Sequence, residues 1–268
     1  MTDPRELLRE YLRQRAEMGE TELVLDSLTG EELRALYARA SAAVPAAVPA
    51  PGAAPAGGRF PANVAPMRPA ADAPAAYAGA DEIRSLPTLA AVREVALGCP
   101  RCRLAETRGQ VVFGEGNPDA DVLIVGEAPG AEEDRSGRPF VGRAGKLLDL
   151  LLTSVGLPRE QVYVCNVLKC RPPGNRDPQA DEVEACSPYL LRQVELVKPR
   201  AIAAFGTFAA QTLLGTTTPI GRLRGRVHEY HGVPLVPTYH PAALLRSPAW
   251  VRPTWEDLQR LRQLLDRA

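Results

Sequence analysis

Three short stretches carry side chains suited to acid–base and hydrogen-bond chemistry. Glu127 lies in Gly126-Glu127-Ala128-Pro129-Gly130, directly after an apolar run. A turn shaped by Gly and Pro holds such a carboxylate at a fixed point. Asn166 ends the apolar run Val162-Tyr163-Val164-Cys165. His240 closes Pro234-Leu235-Val236-Pro237-Thr238-Tyr239 and opens His240-Pro241-Ala242-Ala243-Leu244-Leu245-Arg246. A carboxylate, a carboxamide and an imidazole together can move a proton and read a polar ligand. Each also has an ordinary reading, since a His beside Pro often only satisfies a turn and paired leucines are usually core.

The cysteines are a second chemical group. Cys99-Pro100-Arg101-Cys102 is a CxxC pair, and Cys170 and Cys186 form a second pair with fifteen residues between them. Four thiolates suit either a tetrahedral zinc ion or a four-iron, four-sulfur cluster. The wide second spacing is unlike a compact zinc knuckle and favours the cluster; four unrelated buried thiols are the bland alternative. Cys165, inside an apolar run, reads as core. No GxGxxG accompanies the cysteines, so a structural staple is a simpler role for a cluster than electron transfer.

The elements that must position these groups follow from periodicity. Asp121–Gly126, Val162–Asn166, Ala201–Gly206 and Pro234–His240 read as buried strands, with helices between them over Gly145–Val155 and Asp181–Val197. This alternation predicts a three-layer α/β/α domain around a mostly parallel four-stranded sheet. Ligands of such sheets sit beyond the carboxyl ends of the strands, where Glu127, Asn166 and His240 converge.

Outside that domain, residues 1–40 predict a helical segment. Thr29-Gly30-Glu31-Glu32 offers a capping box before Leu33, Leu36 and Tyr37. Two helices alone bury too little to be stable, so this piece is expected to dock elsewhere or to bind a protein partner. Residues 41–87, dominated by Ala and Pro, read as a flexible linker, and residues 88–268 as the folded domain. The formal charge is zero, although residues 91–268 hold 23 Lys and Arg against 20 Asp and Glu. That balance permits a nucleic-acid partner without requiring one. No run approaches the ~20 apolar residues of a membrane span, and the start lacks the pattern of a signal peptide. The expected setting is the cytoplasm, at the nucleoid, where structural disulfides are rare.

Taken together, these segments resemble the family 4 uracil-DNA glycosylases. The matching features are the GEAPG-x-x-ED loop, Gly137-Arg138-Pro139-Phe140-Val141-Gly142-Arg143-Ala144-Gly145, Asn166, Cys170-Arg171-Pro172-Pro173 and the HPAALLR segment. They cover roughly residues 90–265. The resemblance implies an enzyme that flips deoxyuridine out of DNA and hydrolyses its glycosidic bond, leaving an abasic site; a monomer is expected. Cys99, Cys102, Cys170 and Cys186 would then hold a 4Fe-4S cluster.

In that reading Glu127 positions or deprotonates water and His240 donates to uracil O2. The base would lie against Gly126 and Ala128, stack on Phe140 and pair with Asn166, with Glu133 near C5. Leu244 or Leu245 would wedge into the vacated stack and Arg246 would hold the flanking strand, with Arg138 and Arg143 offering phosphate contacts. Two rivals remain open: a glycosylase of the same superfamily for another deaminated base such as hypoxanthine, and a non-catalytic iron–sulfur DNA-binding module.

Overall fold

The computed structural model describes residues 78–266. The expected N-terminal helices, and most of the expected linker, lie outside the described residues. Six strands form one sheet: β1 (Glu115–Gly116), β2 (Val122–Gly126), β3 (Tyr163–Asn166), β4 (Ala201–Phe205), β5 (His228–Tyr230) and β6 (Val233–Thr238), in the order β1-β3-β2-β4-β6-β5. The inner four are the strands legible in the sequence, and they run parallel. The two short edge strands are antiparallel additions.

Alternation along the inner strands divides the core into two layers, because successive side chains point to opposite faces. Val122, Ile124 and Val164 pack on one face with Leu148, Leu152, Leu258 and Leu261. Those four leucines come from helix α4 (Arg143–Ser154) and helix α9 (Val251–Asp266). Leu123, Val125 and Cys165 pack on the other face with Leu190, Val194, Ala209 and Ala210, from helix α5 (Ala180–Val197) and helix α6 (Thr207–Leu214). Burial on both faces explains why these strands read as continuous apolar runs.

A third apolar cluster lies beside the sheet. It joins helix α1 (Ala80–Ser85) and helix α2 (Leu89–Leu97) to α5 through Ile83, Val92, Ala96, Leu104 and Tyr189. The packed body therefore begins upstream of the boundary expected at residue 88. Ile83 is fully buried, and the Arg192 guanidinium donates to Leu86 O at 2.6 and 2.8 Å. The Ala/Pro composition hid this helix, although Asp81 and Glu82 in its first turn and Arg84 in its last match its dipole. Three short helices complete the order: α3 (Ala131–Ser136), between β2 and α4, then α7 (Ile220–Leu223), and α8 (Pro241–Leu244) between β6 and α9; α2 is followed by a 3₁₀ turn at Arg103–Glu106. Among the described residues no helix is long and apolar enough to cross a membrane.

Candidate active site and cysteine recess

The parallel register brings the strand ends level: Gly126 pairs with Asn166, and Phe205 with Thr238. Glu127 and His240 follow within two residues of those ends. Asn166 is 2 % exposed, and its Oδ1 has no hydrogen-bond partner among the described residues. An orphaned buried acceptor costs about 1–3 kcal/mol, so it marks a place where a ligand donor belongs. Gly126 is required beside it. A Cβ there would stand 2.3 Å from Asn166 Oδ1 and 2.5 Å from Phe140 Cζ. The missing side chain lets the carboxamide and the ring edge meet over the strand end.

Phe140 is buried and holds the left-handed conformation at φ 51°, unusual for an aromatic residue. Two neighbours hold it there. Gly145 abuts its carbonyl so closely that a Cβ would lie 1.9 Å from Phe140 O. Arg159 donates to Pro139 O and to Phe140 O at 3.3 Å, while pairing with Glu115 at 2.8 Å and Asp149 at 2.9 Å. The Phe140 ring then stacks on His240, with centroids 5.6 Å apart and planes at 28°.

His240 caps α8, its Nδ1 accepting from the Ala242 N–H at 3.1 Å. An accepting Nδ1 carries no proton, so the ring is neutral with its hydrogen on Nε2. Burial reinforces this by pushing its pKa down to about 4, aided by the Arg246 charge and opposed by Glu133. Glu127 moves the other way. Burial raises its carboxyl to about 7, with the Asp177 charge adding to the shift. The Glu127 carbonyl accepts from the Leu168 N–H at 3.0 Å, which fixes its backbone to the chain beyond β3.

The remaining expected residues divide. Glu133 accepts from the Val141 and Gly142 N–H groups at 2.9 and 3.0 Å, clamping the chain just after Phe140. The Ala128 methyl packs against the third apolar cluster. Leu244 is corrected: it is 1 % exposed and belongs to the main core, so it is no wedge. Its neighbour Leu245 is 44 % exposed, and Arg246 is exposed beside it. The first residue of a pair on a short helix faces the sheet and the second faces out, a distinction that Leu-Leu in a sequence does not reveal. Arg138 is held by Glu115 through two bonds of 2.8 and 3.1 Å, whereas Arg143 is exposed. Sequence reasoning missed Arg159, which opens a 3₁₀ turn (Arg159–Gln161) that carries no motif. It also missed Lys169, although a lone Lys in the apolar run before Cys170 was a signal.

The four expected cysteines line one recess with Ala96, Arg101, Arg108, Lys169, Ala185 and Tyr189. The recess is partly open to solvent. All are free thiols. Arg108 donates to Cys99 O at 2.6 Å and to Cys170 Sγ at 3.5 Å, and the Lys169 N–H donates to Cys186 Sγ at 3.3 Å. Lys169 also joins the two sites, since its Nζ donates to Asn166 O at 2.7 Å and to Gln193 Oε1 at 2.5 Å. Among the described residues no three His, Cys, Asp or Glu side chains are grouped to hold a single metal ion. Cys165 is fully buried core, as its place in β3 predicts.

A six-stranded sheet flanked by helices, with polar side chains at the carboxyl ends of its strands, defines an α/β domain, and residues 113–259 match the model of the uracil DNA glycosylase superfamily. The chain belongs to that superfamily. Within it, the chain is 48 % identical to the type-4 uracil-DNA glycosylase of Archaeoglobus fulgidus over 165 residues, covering 59 % of this chain and 82 % of that protein. It is 42 % identical to the type-4 enzyme of Sulfurisphaera tokodaii over 186 residues, covering 66 % and 84 %. Identity to the type-4 enzyme of Thermotoga maritima is 48 % over 151 residues, covering 56 % and 79 %.

Proposed function

We propose that this chain is a DNA-repair hydrolase that excises uracil from DNA, cleaving the N-glycosidic bond of a flipped-out deoxyuridine. The observation that carries the reading is the unpartnered Asn166 Oδ1, buried beside the Phe140 ring that in turn stacks on His240. The type-4 names of its relatives point the same way.

Extrusion of the base costs roughly a few kcal/mol, which stacking on Phe140 offsets. Asn166 Oδ1 accepts from uracil N3–H while its amide donates to O4. Cytosine presents the opposite polarity at both atoms, and sites built on such bonds reject mispaired analogues by about 10⁴–10⁵. As the bond to the sugar breaks, negative charge gathers on the base and positive charge on the sugar. The neutral His240 donates Nε2–H to O2, where the charge grows, and being already neutral it loses no proton to the base. Glu127, as the carboxylate, orients water toward the anomeric carbon and stabilises the sugar cation. Leu245 fills the vacated stack, with Arg246 beside it for the flanking strand.

Cys99, Cys102, Cys170 and Cys186 suit a 4Fe-4S cluster, because four thiols outside any disulfide line one recess, the donor set that such a cluster takes. When bound, such a cluster would tie the chain just after α2 to the loop after β3 and to α5, and would add a capacity for one-electron transfer.

Oligonucleotides bearing one uracil, hypoxanthine, cytosine or thymine test the reading by chromatography of the released base. Free uracil alone is expected. Release of hypoxanthine instead supports the superfamily rival, and DNA binding without any released base overturns the catalytic account.

A further inference from the structure

Both tryptophans of the chain fall within six residues, at Trp250 and Trp255. Of the seven large apolar side chains exposed among the described residues, four lie between 245 and 255: Leu245, Trp250, Val251 and Trp255. Such clustering is not the single scattering normal for a surface, and it follows directly after the loop that carries His240.

The geometry is ordered. Trp250 stacks on Tyr239 with centroids 4.7 Å apart and planes at 11°, and the Arg224 guanidinium lies 5.4 Å from the Tyr239 ring. Buried Asp257 locks the arrangement. It takes Arg224 Nε at 2.8 Å, the Gly225 N–H at 3.1 Å and the Thr238 hydroxyl at 2.8 Å. Trp250 O accepts from the Thr254 hydroxyl at 2.8 Å. Tyr239 immediately precedes His240, so the stack adjoins the proposed active site. Trp250 nevertheless keeps 39 % of its surface exposed.

Charge narrows the occupant. Residues 219–255 hold Arg222, Arg224, Arg226, Arg246 and Arg252 against Glu229 alone; Arg224 is paired with Asp257 and Arg252 with Glu256 at 3.3 Å, while Arg222, Arg226 and Arg246 form no ion pair among the described residues. Rigid aromatic surface among arginines is the pattern that receives a nucleic-acid strand: cations meet phosphates, and every base offers a π-face.

We propose that Trp250, backed by Tyr239 and Arg224, is a stacking platform for a DNA base on the strand flanking the extruded nucleotide. The proposal rests on the reading that the chain acts on DNA, and it extends the DNA surface beyond Leu245 and Arg246. Preassembled stacking requires little ordering on binding, so the platform adds affinity for the strand and leaves recognition of the uracil ring itself untouched.

In a Trp255→Phe chain, Trp250 is the sole indole and reports its own contacts. Titration with a uracil-containing oligonucleotide, followed by indole emission and by anisotropy of a dye on the DNA, should show Trp250 quenched along the same isotherm as binding. Trp250→Ala should weaken the DNA Kd about tenfold, and Trp250→Phe should recover most of the loss. Inhibition by free uracil should be unchanged in both. DNA binding with unaltered Trp250 emission, or with an unaltered Kd in Trp250→Ala, would overturn the platform alone. Emission that follows protein concentration instead of DNA would overturn it in favour of self-association. Absence of DNA binding by anisotropy would overturn the platform together with the reading beneath it.

Discussion

Glu127 and His240 are displaced from their ordinary protonation behaviour in opposite directions by one cause, since burial disfavours the charged form of each. With Glu127 at about 7 and His240 at about 4, single-turnover uracil release should rise through pH 7 as Glu127 ionises. No second limb from His240 should appear above pH 5. Glu127→Gln should abolish that limb and lower the rate by about 10²–10⁴. A pH–rate profile of both proteins checks this. Stability gives an independent reading. A carboxyl raised from 4.5 to about 7 in the folded state contributes stability that is full below 4.5 and lost as pH rises through 7. Thermal melts should therefore show Glu127→Gln more stable than the unsubstituted chain at pH 8, with the gap closing at pH 4. The polar strand ends were legible at this scale, because an ionisable residue closing an apolar run has few structural reasons to be there. The orphaned Asn166 oxygen was not, since only coordinates reveal a missing partner.

Among the elements, the inner strands and helices α4 and α5 could be read from periodicity to within a residue or two, whereas the 16-residue α9 was not singled out. The edge strands escaped because pairs of two or three residues, Glu115–Gly116 and His228–Tyr230, carry no measurable alternation. The same limit applies to the leucine pair of α8. Leu244→Ala should destabilise the fold by about 2–5 kcal/mol through a core cavity, whereas Leu245→Ala should leave the melting temperature nearly unchanged. Leu245→Ala should instead slow uracil release from duplex DNA more than from single strands, where no stack must be filled. Chemical denaturation and parallel kinetics on the two substrates separate these effects. Arg159 matters through the loop it braces. Arg159→Gln removes donors to the carbonyls of Pro139 and Phe140, so the strained ring should lose its position. Binding of free uracil should weaken about tenfold, roughly 1.4 kcal/mol. In a Phe140→Ala background the same change should have little further effect, as a double-mutant cycle by calorimetry would reveal.

Over the whole molecule, the cysteine recess joins parts that the sheet does not. Cys99 and Cys102 border α2, Cys170 follows β3, and Cys186 lies within α5. The sequence revealed the four thiols but not Lys169, whose contacts run from Cys186 to Asn166 and so place the recess one residue away from the proposed base-reading carboxamide. Cys170→Ser should reduce the iron content below roughly four per chain, remove visible iron–thiolate absorbance and lower the melting temperature by roughly 5–15 °C. Metal analysis and thermal melts check that outcome.

A crystal structure of the chain soaked with free uracil decides whether Phe140, Asn166 and His240 receive one base. The base should lie over Phe140 with N3 within hydrogen-bonding distance of Asn166 Oδ1 and O2 within reach of His240 Nε2. Uracil bound elsewhere, or bound there with Asn166 Oδ1 still unpartnered, would contradict the account.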